Sequence, residues 1–180
     1  MIKTIMILLF LLSTSVLYGS DLSIKINGDY FLPSEKIFKE IYGNGFIYGG
    51  ELDYSIFKNI NICLELKYFS AKGVTTFSKD ETKVTIMPIL LSGRYDFFKK
   101  GISPFISIGI GYYVFNERNI IGSTKDNKIG FFIQSGIKIR VTNKMYLDFH
   151  LGYTHCEIRP VELSCNIGGL NMGIGAAYQF

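Results

Sequence analysis

Beyond its N-terminus this chain has no run approaching the roughly 20 apolar residues that a membrane-spanning helix needs. Yet 48% of its residues are hydrophobic and its mean hydropathy is +0.24. Histidine is scarce, with only His150 and His155. The three cysteines, Cys63, Cys156 and Cys165, have no zinc-ligand spacing. The glycines lie scattered at strand parity and form no phosphate loop. The net charge of +4, or +3 without Lys3, is too small to argue for nucleic acid. Prolines number four, against nineteen glycines, twelve tyrosines and fifteen phenylalanines. That balance suits a β-rich chain with closely packed strands.

The first residues stand apart. Lys3 gives a positive start, Ile5 to Leu12 are apolar, and Ser13 to Ser20 are mostly small or polar. This pattern predicts a secretory signal peptide over residues 1–19, with cleavage after Gly19 or Ser20. Residues 20–180 are then one exported domain. Export is a second argument against nucleic acid.

The end of the chain alternates strictly. Leu170, Met172, Ile174, Ala176, Tyr178 and Phe180 share one face; Gly169, Asn171, Gly173, Gly175, Ala177 and Gln179 share the other. A period of two means a strand. The same alternation marks eight segments, at about 22–33, 45–56, 60–72, 83–97, 103–116, 128–142, 144–157 and 166–180. Each is long enough to cross a bilayer as a tilted strand of roughly 9–11 residues. Short connections (57–59, 98–101 and 143) alternate with longer polar ones at Ser34–Asn44, Gly73–Thr82, Glu117–Asn127 and Ile158–Cys165. In the first long connection Ser34 is a candidate N-cap, Ile37, Phe38 and Ile41 share a face, and Gly43 is a stop, which predicts a short helix. Its predicted resting place is the barrel mouth or the outer-leaflet surface; the alternative is an ordered loop with a single helical turn.

Parity sorts the faces. One face collects uncharged residues such as Ile24, Ile26, Tyr48, Leu66, Ile108, Phe131 and Leu151. The other collects Lys25, Lys67, Arg94, Lys138 and Arg140 against Asp29, Glu51, Asp53, Glu65, Asp96 and Asp148, together with many glycines and His150. A closed eight-stranded sheet has an interior just wide enough for side chains. The bulky apolar set does not fit there, whereas the small and charged set does. The apolar face is therefore outside and needs lipid, which excludes a secreted barrel with a greasy interior. Mixed charges in a narrow lumen are costly unless paired, so the near balance of signs predicts an ion-paired plug. Lys58, Lys99, Lys100 and Lys144 fall at the short turns, near the headgroups of that side.

The chain thus resembles the eight-stranded outer-membrane barrels of the OmpA, OmpX and opacity-protein kind. The resemblance rests on residues 104–113, on the strand-turn-strand from Gly136 to Tyr153, and on the ending Gly175-Ala176-Ala177-Tyr178-Gln179-Phe180. It implies an all-β, up-and-down transmembrane barrel in the bacterial outer membrane, with short turns periplasmic and long loops extracellular. It also implies that Gly175, Tyr178 and Phe180 belong to the terminal signal read by the assembly machinery. That signal usually has a polar residue where this chain has Gly173.

For chemistry, the expectation is no enzyme, no catalytic residue, no metal and no cofactor. His150, beside Asp148, reads as a core hydrogen-bonding residue. His155-Cys156-Glu157 lacks the His-x-Ser pattern of outer-membrane lipid A deacylases. Cys156 and Cys165 flank the last long connection with lumen parity and are a candidate disulfide. The expected partners are outer-membrane lipids, the assembly machinery and an extracellular ligand held by the long loops. The expected state is a monomer. The leading function is a structural or surface-interaction barrel with a plugged lumen; a narrow, porin-like channel for small solutes is second, and a lipid-modifying enzyme third.

Overall fold

The computed structural model describes residues 22–74, 80–98, 101–120, 122–161 and 163–180. The predicted signal peptide, and Lys99 and Lys100, lie outside the described residues.

The elements in chain order are β1 (Leu22–Pro33), α1 (Lys36–Tyr42), β2 (Gly45–Phe57), β3 (Ile60–Val74), β4 (Glu81–Asp96), β5 (Ile102–Asn119), β6 (Gly122–Arg140), β7 (Met145–His155), β8 (Glu157–Val161), β9 (Leu163–Asn166) and β10 (Gly169–Gln179). Eight of the strands close into a barrel in the order β1-β10-β7-β6-β5-β4-β3-β2, each antiparallel to its neighbours. Closure runs in unbroken register from Ser23↔Gln179 to Pro33↔Gly169. Every barrel strand thus has a partner on each side, which removes the exposed edges an open sheet would carry. The predicted strand order and facing are observed. Ile26, Phe46, Ile108 and Ile174 are at least 60% exposed on the outer wall. Apolar exposure around a whole barrel is a lipid-facing belt.

Both ends of the barrel wall lie with the three short turns, here called the turn end. The opposite, loop end differs from expectation in three ways. Residues 117–119 and 122–127 are not loop: β5 and β6 continue as one hairpin, with Glu117↔Thr124, Arg118↔Ser123 and Asn119↔Gly122 in register. Its polar composition hides it from a period-two reading, because beyond the apolar belt both faces are polar while backbone hydrogen bonds continue. Residues 158–165 are also not a plain loop. They belong to the small hairpin β8-β9, in which Glu157↔Asn166 and Ile158↔Cys165 pair.

The third difference is the start of the predicted helix. Glu35, not Ser34, holds the N-cap position and makes no side-chain cap bond. Gly43, at φ 69°, ends the helix in the left-handed conformation that favours glycine. Phe38 and Tyr42, one turn apart, are buried and stack at 4.9 Å, while Ile37 is exposed. The Tyr42 hydroxyl hydrogen-bonds the Thr82 Oγ1 at 3.1 Å. A Cβ at Gly73 would meet the backbone of Ile41, so the glycine is what lets α1 lie against β3. The helix therefore roofs the barrel mouth rather than resting on the membrane.

Candidate functional site

The lumen has two layers. Alternation sends every second residue of each strand inward, and the inward residues change character along the strand. On β1 the order is Ser23, Lys25, Asn27, Asp29, Phe31; on β3 it is Asn61, Cys63, Glu65, Lys67, Phe69. The turn-end half is polar and charged. The loop-end half is apolar.

The charged half is one connected chain of ion pairs. Asp96 takes Lys138 Nζ at 3.2 Å and Arg94 Nε at 3.2 Å. Arg94 also donates to Asp53 at 2.6 Å and to Glu51 at 3.0 Å, while its guanidinium stands over the Phe105 ring at 5.6 Å. Lys25 joins Glu51, at 3.0 Å, to Asp148, at 3.3 Å. His150 bridges Asp148 (Nδ1, 2.7 Å) and Asp29 (Nε2, 2.8 Å). Lys67 joins Asp29, at 2.6 Å, to Glu65, at 3.3 Å, and the Asn27 amide donates to Glu65. Both His150 nitrogens face carboxylate oxygens, a geometry in which both donate, as an imidazolium does.

Eleven of the twelve residues expected in this network are brought together. Arg140 is the exception: it sits exposed at the turn-end rim, where Nη2 donates to the Tyr146 hydroxyl at 3.0 Å. It follows the parity of Lys138 but stands at the last rung of the β6-β7 ladder, next to the turn. Oxygens of Glu51 and Asp53 and the Cys63 sulfur lie within 4.8 Å of one another. Arg94 already occupies the cation position between these carboxylates.

Gly173 has a structural reason. A Cβ there would strike the Asp29 carboxylate, and one at Gly175 would crowd Asp148 and Lys25. Both glycines give the ion-pair chain its space against β10. Gly173→Ala should therefore lower stability by about 1–3 kcal/mol, the usual effect of overpacking. Guanidinium unfolding of refolded protein in detergent measures it, and an unchanged midpoint would contradict this packing.

The apolar half was not foreseen. Phe31, Ile47, Phe69, Val84, Ile86, Leu90, Tyr113, Phe115 and Phe132 point inward and are buried, capped by α1, Ile158 and Ile167. All have lumen parity. The available signal was that these large residues stood in the same alternating rows as the charges, toward the loop end. Only a cavity of about 30 Å³ remains among them. At the turn end a vestibule of about 80 Å³ stops on Asp53, Arg94, Asp96 and Lys138.

The expected disulfide is not formed in the structure. Cys63, Cys156 and Cys165 are free thiols. Register sets Ile158 opposite Cys165, and the Ile167 N–H donates to the Cys156 carbonyl. Burial pushes the thiols of Cys156 and Cys165 up to about 11. Little thiolate, the reactive form, is then present at neutral pH. His155 stacks on Phe131 at 5.1 Å and pairs with Glu157 at 3.6 Å.

At the terminus, Phe180 N–H donates to the Leu22 carbonyl at 3.1 Å, and its ring meets Tyr178 edge-on at 5.4 Å. The ring is half exposed on the outer wall. Deleting Phe180 should cost only about 1–2 kcal/mol of burial. If the terminal aromatic is also read during assembly, outer-membrane yield in cells should fall far more than stability in detergent. Equal falls would make Phe180 only an anchor, and an unchanged yield would remove the assembly role.

The family model for the outer membrane protein beta-barrel domain matches residues 5–180. No curated protein matches the chain. Solved structures share its fold at low identity. Neisserial surface protein A is 14% identical, with 90% of this chain and 98% of that one covered and a TM-score of 0.69. Outer Membrane Protein W of E. coli is 16% identical, with 89% and 97% covered and a TM-score of 0.58. Ail, the attachment invasion locus protein of Yersinia pestis, in complex with the heparin analogue sucrose octasulfate, is 12% identical, with 89% and 97% covered and a TM-score of 0.55.

Proposed function

Because this chain belongs to the outer membrane protein β-barrel family, we propose that it is a surface barrel of the bacterial outer membrane whose lumen passes no solute. Its loop end faces outward and does the work, and its turn end faces the periplasm. The observation that carries this reading is the connected ion-pair chain from Asp96 to Glu65 across the turn-end half, backed by the apolar layer above it. An ion moving through would have to break buried pairs whose partners stay behind uncompensated. The voids above and below the ion-pair chain, about 30 and 80 Å³, are too small for a water-filled path.

Three features support a binding or structural role over catalysis. The charged groups and His150 of the described lumen are already spent on one another. The loop end carries the added elements α1, the long β5-β6 hairpin and β8-β9. A barrel of the same fold has been solved with a heparin analogue, which fits a role in holding surface ligands.

Purified protein in planar bilayers should show no steady conductance. Reproducible nanosiemens steps would replace this reading by the channel. Orientation is tested separately, by an epitope inserted after Ile120. Antibody should reach it on intact cells; staining only after permeabilisation would reverse the barrel.

A further inference from the structure

A row of cations crosses the outer wall near the loop end. Lys72 on β3 stands directly opposite Lys83 on β4, and Lys83 directly opposite Arg118 on β5. All three are exposed. All three have the parity of the lipid-facing residues, alternating with the inward Ala71, Thr82, Val84 and Glu117. Lys125 on β6, opposite Asn116, lies diagonal to Arg118 and adds a fourth charge.

The row is placed at a definite height. Moving toward the loop end, the belt ends at Tyr68, Met87 and Val114, and a polar step of Ser70, Thr85 and Asn116 follows in register. The cations come next, two residues or about 7 Å further along the strands. That is where headgroups meet the wall of a spanning barrel.

Like charges directly opposite one another destabilise a sheet. Opposed side chains start roughly 5 Å apart, so the row spans about 10 Å. Among the described residues the ion pairs at this end are Lys36–Glu40, Lys128–Asp126 and His155–Glu157, and none uses the row. Glu81 shares the shallow groove that Lys72, Lys83 and Arg118 line, without an ion pair to them among the described residues. The lumen of this protein pairs nearly every charge, so three unneutralised neighbours stand out. No described residue pairs with them, and an anion from outside the chain would neutralise them.

We propose that Lys72, Lys83 and Arg118 bind the phosphate groups of lipid headgroups in the leaflet at the loop end. A phosphate monoester carries up to two negative charges and three acceptor oxygens. One such group fits between two adjacent cations of the row, and Arg118 offers the planar fork suited to it. The assignment to the outer leaflet rests on the orientation proposed above. The headgroup chemistry does not.

The test is thermal unfolding of the full folded protein in two kinds of vesicle: phosphatidylcholine alone, and phosphatidylcholine containing bisphosphorylated lipid A. Both leaflets then carry the probe, so the result is independent of orientation. A failure here is therefore distinct from a failure of the epitope experiment. Wild type should melt higher with lipid A. The variant K72Q/K83Q/R118Q should lose that gain, and should melt no lower than wild type in phosphatidylcholine, because repulsion is relieved. The single variant Lys83→Gln, at the centre of the row, gives the same sign with a smaller loss if the triple variant folds poorly. The variant K36Q/K39Q on α1, also at the loop end, should keep the gain. An equal gain in wild type and the row variants would overturn the site. The same gain from soluble pyrophosphate in phosphatidylcholine would overturn the lipid assignment in favour of a free-phosphate site.

Discussion

Replacing Arg94 by Ala should lower the barrel's unfolding free energy by about 3–5 kcal/mol, the usual result of removing one partner of a buried pair. The reason is local. Arg94 contacts Glu51, Asp53 and Asp96. After its removal Glu51 keeps Lys25, and Asp96 keeps Lys138 and Asn61. Asp53 keeps the Ser23 hydroxyl at 3.3 Å and the neighbouring Cys63 thiol. A buried carboxylate left with neutral donors alone is poorly compensated. Urea unfolding of refolded protein in detergent reads the loss. Arg140→Ala is the comparison, since Arg140 sits exposed at the rim; its change should stay within about 1 kcal/mol. Equal midpoint shifts for the two variants would mean that Arg94 faces water.

Phe69→Ala should cost a similar amount, about 3–5 kcal/mol, through the other half of the lumen. Phe69 is 1% exposed. Its ring meets Phe31 at 5.3 Å and Phe38 at 6.5 Å, and its register partners Ile47 and Ile86 point inward beside it. Truncation leaves a hole walled by rigid strands, which collapse poorly around it. Phe38 belongs to α1, so the roof loses a contact as well. Amide exchange in α1 should accelerate with no matching change at the turn end. A stability loss below about 1 kcal/mol would show that water already fills this layer. The two variants together separate the layers: Arg94 reports the polar one, Phe69 the apolar one.

The filled lumen also explains the scarcity of reactive chemistry. His150 and the carboxylates are held by one another. The cysteines are buried or half-buried thiols whose protonated form is favoured.

Much of this was determined by the sequence alone. Strict alternation needs no tertiary contact to be read, because each residue's side of a strand follows from its parity. The strand number, the lipid-facing belt and eleven of the lumen's charged or histidine residues follow from that rule. Arg140 shows its limit: parity gives direction, not depth, so the rim and the buried layer look alike. Only the tertiary structure decided what depends on neighbours distant in the chain. It divided the lumen into a charged and an apolar half, since which inward residues share a level is set by register between strands. It turned residues 117–119 and 122–127 into strand, because ladder hydrogen bonds persist where hydrophobic alternation does not. It set α1 over the mouth through Gly73, and it set Ile158, not Cys156, opposite Cys165. It also aligned Lys72, Lys83 and Arg118, which are scattered in sequence and adjacent only across paired strands. Inter-strand register is a property of the closed barrel, and no single strand carries it.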